Sequence, residues 1–173
     1  MTQNFSKKPT AKDQQPKARD QQMQEIERKF LVKDDSYKLE ASRFHHIIQA
    51  YISRDPSRTV RVRIKDAQGF LTIKGASNAS GTTRFEWEKE IPLDEAQQLI
   101  DIALPGVIEK VRYIIPAENG LFWEVDEFLD ENEGLIIAEI ELPTENTTFS
   151  KPDWLGEEVT GQAQYYNSAL SNK

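Results

Sequence analysis

The sequence predicts a mainly β (α+β) domain built as an eight-stranded antiparallel barrel, with a charged interior and a few flanking helices. Three observations predict it. Apolar and charged residues alternate with period two in eight separate segments, the signature of strands with two unlike faces. Mostly short turns join those segments, which favours antiparallel pairing, and eight strands suit a closed or nearly closed barrel. Like charges then line up along single strands instead of being mixed.

The elements follow in chain order. Residues 1–22 hold five Gln, two Pro and five basic against two acidic residues, a charge of +3, with Phe5 and Met1 as the only large apolar side chains. Such a segment buries too little apolar surface to offset its ordering entropy, so it is expected to be a disordered tail or extension, with Met23 as a candidate start of the domain over 23–173. The first strand is Glu25–Val32. Ser36–Ala41 forms a short helical stretch, and His46–Ile52 is the second strand. Thr59–Lys65 and Phe70–Lys74 are the third and fourth, separated by an Ala67-Gln68-Gly69 turn. After a small-residue loop at Ser77–Gly81 comes a fifth strand, Arg84–Ile91. Pro92 ends it, and Leu93, Ala96, Leu99 and Ile100 give an amphipathic helix over Leu93–Ala103. Val107–Ile115, Leu121–Leu129 and Leu135–Leu142 complete the eight strands, with turns at Pro116–Gly120 (Asn-Gly) and Asp130–Gly134. A short helix over Gly161–Leu170 carries Tyr165 and Tyr166.

Composition narrows the function. The 173 residues carry 22 Lys+Arg and 29 Asp+Glu, a net charge of −7, which argues against a general nucleic-acid binder. There is no cysteine, so disulfides, thiolate zinc sites and cysteine nucleophiles are excluded, and two adjacent histidines exclude a multi-histidine metal site. No apolar run approaches the roughly 20 residues of a membrane helix. The expectation is a cytoplasmic protein with neither nucleic acid nor membrane as partner.

The charged faces carry the chemistry. Glu25, Glu27 and Lys29 share a face of the first strand, and Arg61, Arg63 and Lys65 one of the third. Lys74 follows on the fourth. Arg84, Glu86, Glu88 and Glu90 line the fifth, Lys110 and Arg112 the sixth, Glu124 and Asp126 the seventh, and Glu139 and Glu141 the eighth. A solvated face explains any one of these strands. The set is harder to explain that way, because like neighbours repel unless ligands neutralise them. Carboxylates suit Mg²⁺ or Mn²⁺, and Arg and Lys suit phosphate oxygens. Together they equip a site for phosphoryl transfer from a polyphosphate, and no P-loop motif is present. His45 and His46 read as structural or surface residues. Trp87, Trp123 and Trp154 read as exterior core, Tyr165 and Tyr166 as anchors of the last helix, and Lys65 and Glu90 as solvated strand ends.

The ordered motifs resemble the CYTH domains, also called triphosphate tunnel metalloenzymes, in their small single-domain bacterial form. The resemblance runs over about residues 24–170. It starts with Glu25-Ile-Glu-Arg-Lys29 and continues through Arg61-Val-Arg63, Thr72-Ile-Lys74-Gly and Glu86-Trp-Glu88-Lys-Glu90. Glu109-Lys110-Val-Arg112, Trp123-Glu-Val-Asp126, Glu139-Ile-Glu141, Glu158-Val-Thr and Tyr165-Tyr-Asn complete it. It implies an eight-stranded tunnel in which Mg²⁺ or Mn²⁺ assists hydrolysis of inorganic tripolyphosphate to pyrophosphate and phosphate. Glu25, Glu27, Glu139 and Glu141 would hold metal, with Glu86, Glu88 and Asp126 as further candidates. Lys29, Arg61, Arg63, Lys74, Lys110 and Arg112 would grip phosphate, and Lys110 would activate water beside the catalytic carboxylates Glu27 and Glu141. The open alternatives are an organic triphosphate substrate (thiamine triphosphate or ATP, hydrolysed or cyclised) and a non-catalytic polyphosphate or nucleotide binder. The expected partner is a small polyanion, and a homodimer is left open.

Overall fold

The computed structural model describes residues 23–172; the expected tail, 1–22, lies outside the described residues. Nine strands form one sheet: β1 (Gln24–Val32), β2 (Arg43–Ser53), β3 (Arg58–Lys65), β4 (Gln68–Ser77), β5 (Thr83–Ile91), β6 (Ile108–Pro116), β7 (Phe122–Phe128), β8 (Ile136–Glu141) and β9 (Leu155–Glu158). Their order is β5-β4-β3-β2-β6-β7-β8-β1-β9, all pairings are antiparallel, and β5 also pairs with β1. The first eight therefore close into the expected barrel. Closure uses only the start of β1, where Gln24, Glu25 and Ile26 face Phe85, Arg84 and Thr83. The far half of that edge is covered by the short β9, through Phe30–Glu158 and Val32–Leu155.

Alternation decides which residues enter the barrel. The register aligns Lys29 with Glu139, Glu27 with Glu141, Lys74 with Glu86, and Arg112 with Asp126, so all share the inward face. The outward apolar residues need cover, and two sets of helices and loops supply it. On one side Phe30, Trp123, Val125, Ala138 and Ile140 pack with Trp154 and with Tyr37 of α1 (Tyr37–Glu40). On the other, Ala50, Val62 and Ile64 lie under Ala96 of α2 (Leu93–Asp101), which carries Asp94 and Glu95 in its first turn where the helix dipole favours them. Trp123 and Trp154 are thus exterior core as expected, whereas Trp87 is only half-buried.

The third cluster lies inside. Tyr51, Ile108, Phe128 and Ile137 share the inward register and pack with Leu170 of α3 (Asn167–Leu170). One end of the lumen is thereby apolar, and the C-terminal segment packs against it. The expected helix over Gly161–Leu170 is broken: Ala163–Tyr165 is a 3₁₀ turn, Tyr166 is extended, and only four residues are α-helical. The Asn-Gly turn forms as its chemistry demands, with Asn119 and Gly120 both at positive φ. Among the described residues no helix is long and apolar enough to cross a membrane.

Candidate active site

The lumen holds a cavity of about 250 Å³. Its acidic lining is Glu25, Glu27, Glu86, Glu88, Glu124, Glu139 and Glu141, and its basic lining is Lys29, Arg61, Arg63, Lys74, Arg84 and Arg112. Tyr51, Thr59, Tyr166, Asn167 and Ser168 complete it. The strand pattern therefore brings together most of the residues singled out in the sequence. Two stand apart. Lys110 and Asp126 face inward but lie deeper than the lining, each 1% exposed, paired at 2.6 Å. Lys110 Nζ touches the cavity wall only through Asn167 Oδ1, at 3.0 Å. Arg84 and Glu124 were visible on the same strand faces but not assigned a role. Tyr166, Asn167 and Ser168 come from the C-terminal segment, whose approach no strand pattern encodes. Lys65 and Glu90 lie outside the lining, Lys65 over the Phe70 ring and Glu90 accepting from Gln68. His45 pairs with Asp66 at 2.6 Å and His46 with Glu109 at 2.5 Å, away from the cavity.

Mutual repulsion, expected of like charges along a strand, is answered within the protein. Side chains of opposite sign on neighbouring and next-but-one strands pair along the inward face. Lys74 Nζ lies 2.8 Å from both Glu25 oxygens and 2.6 Å from Glu86. Arg84 Nε donates to Glu25 at 2.8 Å, and its Nη2 reaches Glu27 at 3.5 Å. Lys29 Nζ donates to Glu139 at 2.6 Å. Arg112 holds Asp126 through Nε and Nη2 at 2.6 and 2.7 Å, pairs with Glu124, and reaches Glu139 at 3.2 Å. Arg61 and Arg63 share Glu88, at 3.4 and 3.1 Å, while Thr72 donates to the same carboxylate at 2.6 Å.

This pairing is uneven, and protonation follows it. Burial opposes ionisation of Glu25 and Glu139, but their cations outweigh it: Lys74 and Arg84 hold Glu25, and Lys29 and Arg112 hold Glu139, well below the usual carboxylate range. Glu27 goes the other way, pushed up to about 7 by burial and by Glu25 and Glu139. Burial and neighbouring carboxylates also raise Glu86 and Glu141. Burial, helped by Arg112 and opposed by Asp126, brings Lys110 down to about 8. Burial and Arg61 bring Arg63 down to about 10. Three buried polar atoms in the lumen lack hydrogen bonds: Arg61 Nε, Arg63 Nε and Glu86 Oε2, the last held only as an ion pair with Lys74.

Residues 23–172 match the family model of the CYTH domain. The chain belongs to the CYTH domain family. This CYTH domain is 52% identical over 147 residues to an inorganic triphosphatase of Acetivibrio thermocellus, spanning 84% of this chain and 92% of the relative. It is 31% identical to an inorganic triphosphatase of Nitrosomonas europaea, spanning 86% and 97%. Among solved structures, an inorganic triphosphatase superposes with a TM-score of 0.60 at 29% identity, over 86% of this chain and 95% of that one.

The CYTH family is metal-dependent in general, and the lumen fits a hard divalent cation. Its charged donors are carboxylate oxygens, and Glu27, Glu86 and Glu141 carry raised pKa values because burial and neighbouring carboxylates outweigh the cations beside them. Among the described residues no three acidic side chains already converge into a complete cage.

Proposed function

We propose that the chain is a metal-dependent inorganic triphosphatase, which hydrolyses tripolyphosphate to pyrophosphate and phosphate in the barrel lumen. The observation that carries this reading is the pair of buried, unpartnered guanidinium donors, Arg61 Nε and Arg63 Nε, on the wall of a cavity that also holds under-compensated carboxylates. Buried donors without acceptors are costly and rare, so their presence in a cavity points to an anionic ligand that completes them.

In this reading Arg61, Arg63, Lys29, Lys74 and Arg112 hold the phosphates, and Glu25, Glu27, Glu139 and Glu141 hold Mg²⁺ or Mn²⁺, with Glu86 and Glu88 alongside. The metal, when bound, draws charge from phosphate oxygens and orients the attacking water. All five already sit on carboxylates, so they exchange or share partners when the phosphates enter. The water must lose a proton as it attacks the terminal phosphorus, and we assign its acceptance to Lys110, whose depressed pKa supports the role. Its route to the lumen is past Asn167. Asp126 is fully engaged by Lys110 and Arg112, which favours a part in holding them over a part in holding metal. The lack of cysteine fits a reducing compartment, and we assign the protein to the cytoplasm.

The test is phosphate release from tripolyphosphate, ATP, thiamine triphosphate and pyrophosphate in parallel. Selective release from tripolyphosphate is expected. Preference for thiamine triphosphate or ATP would move the substrate to the organic class, and tight binding without release would make the domain a binder.

A further inference from the structure

Six cations line the cavity, and Arg84 is the one that bridges Glu25 and Glu27. The barrel closes here: Arg84 stands directly opposite Glu25 across the β1–β5 ladder, which brings its guanidinium over the inward face of β1. Nε takes Glu25 Oε2 at 2.8 Å and Nη2 takes Glu27 Oε1 at 3.5 Å. Lys74 serves Glu25 and Glu86, and Lys29 serves Glu139 and approaches Glu27 only to 3.9 Å.

We propose that Arg84 couples cation binding to substrate binding, standing on Glu25 and Glu27 in the free protein and passing to the phosphate chain when a divalent cation takes those oxygens. The inference rests on the triphosphatase reading of the lumen. A dication and a guanidinium on the same two carboxylates repel each other, which favours the guanidinium's departure when the dication binds. Arg84 is buried to about four-fifths of its side chain and cannot swing freely into water. Glu86, whose charge also acts on Arg84, is already held by Lys74, so the anion left for Arg84 is the incoming substrate, and the guanidinium's planar fork suits phosphate oxygens better than a lysine ammonium would. Each ligand then favours the other, and the coupling is reciprocal. Arg84 is on this view a positioning residue with two anionic stations.

The test is equilibrium binding of Mn²⁺ alone, followed by electron paramagnetic resonance at pH 8. Arg84→Gln is expected to bind Mn²⁺ about tenfold more tightly than the parent protein, with Arg84→Met as a second neutral variant should the first fold poorly. Arg84→Lys keeps the charge and is expected to stay within about threefold of the parent. Binding of a non-hydrolysable imidotriphosphate is expected to gain less from added Mn²⁺ in Arg84→Gln than in the parent. Unchanged or weaker Mn²⁺ binding in both neutral variants would overturn the coupling. Equal tightening in Arg84→Lys would also overturn it, placing the effect in barrel closure and not in charge. Mn²⁺ affinity is read without turnover, so a chain inactive on tripolyphosphate that still shows the tightening would defeat the triphosphatase reading while leaving Arg84's competition with the cation in place.

Discussion

Glu27 and Glu141 stand directly opposite each other across the β1–β8 ladder, two acidic side chains on one inward face. Among the described residues Glu141 has no ion-pair partner within 4.0 Å, and both carboxyls are raised in pKa. Like charges facing across a sheet cost stability, on the order of 0.2–1 kcal/mol. Glu141→Gln is therefore expected to stabilise the unliganded protein by up to about 1 kcal/mol in urea denaturation, while phosphate release falls at least a hundredfold. A stabilised variant with undiminished turnover would remove Glu141 from the site.

Glu27 gives the protein a pH signature. Its folded pKa of about 7 lies above the ordinary 4.5, so the folded state holds a proton that the unfolded chain releases. This contribution is fully present below pH 4.5 and is lost as the pH rises through about 7. Its ceiling is on the order of 3 kcal/mol, from about 1.4 kcal/mol per pKa unit. Glu25 and Glu139, with depressed values, act oppositely and only at the acid end. Denaturation at pH 5 and pH 7.5 is expected to show the parent losing more stability across this range than Glu27→Gln. Parallel losses in the two proteins would exclude the assignment.

The buried pair Lys110–Asp126 makes unequal demands on its partners. Asp126 serves two cations, Lys110 and Arg112, whereas among the described residues Lys110 has Asp126 as its one carboxylate partner. Asp126→Asn strands buried positive charge and is expected to cost about 3–5 kcal/mol. Lys110→Met leaves Asp126 with Arg112 and is expected to cost less, yet to lose phosphate release. Urea melts rank the two, and the reverse order would show that Arg112 alone does not satisfy Asp126.

Arg61→Ala and Arg63→Ala each remove a buried donor that lacks an acceptor. Each variant is expected to fold and to lose about 10- to 100-fold in kcat/KM for tripolyphosphate, or about 1.4–2.7 kcal/mol of transition-state binding. Kinetic constants equal to the parent's would show that neither guanidinium touches substrate.

Period-two alternation makes the barrel and its charged inward faces legible, because the strands turn a mainly apolar face outward while the other enters the lumen. It could not give depth. Lys110 and Arg112 share a face, but the stagger of the strands puts Arg112 on the cavity wall and Lys110 beneath Asn167. Strand β9 escaped notice because Leu-Gly-Glu-Glu has weak strand propensity and is held by pairing with the irregular end of β1. The break at Tyr166 was equally hidden: the Tyr166 ring sits 5.7 Å from Lys29 Nζ, a tertiary contact with no local signal. Arg84 and Glu124 are legible in parity, since they share a strand face with Glu86 and Asp126, and only their partners in space give them meaning.

The most direct measurement is phosphate release from tripolyphosphate with Mg²⁺, with Mn²⁺ and in EDTA, for the parent protein and Glu27→Gln. The expected result is rapid release by the parent with metal, none in EDTA, and at least a hundredfold less from a folded Glu27→Gln. Release that persists in EDTA, or full turnover in Glu27→Gln, would contradict a lumen in which carboxylates hold a cation against a clamped polyphosphate.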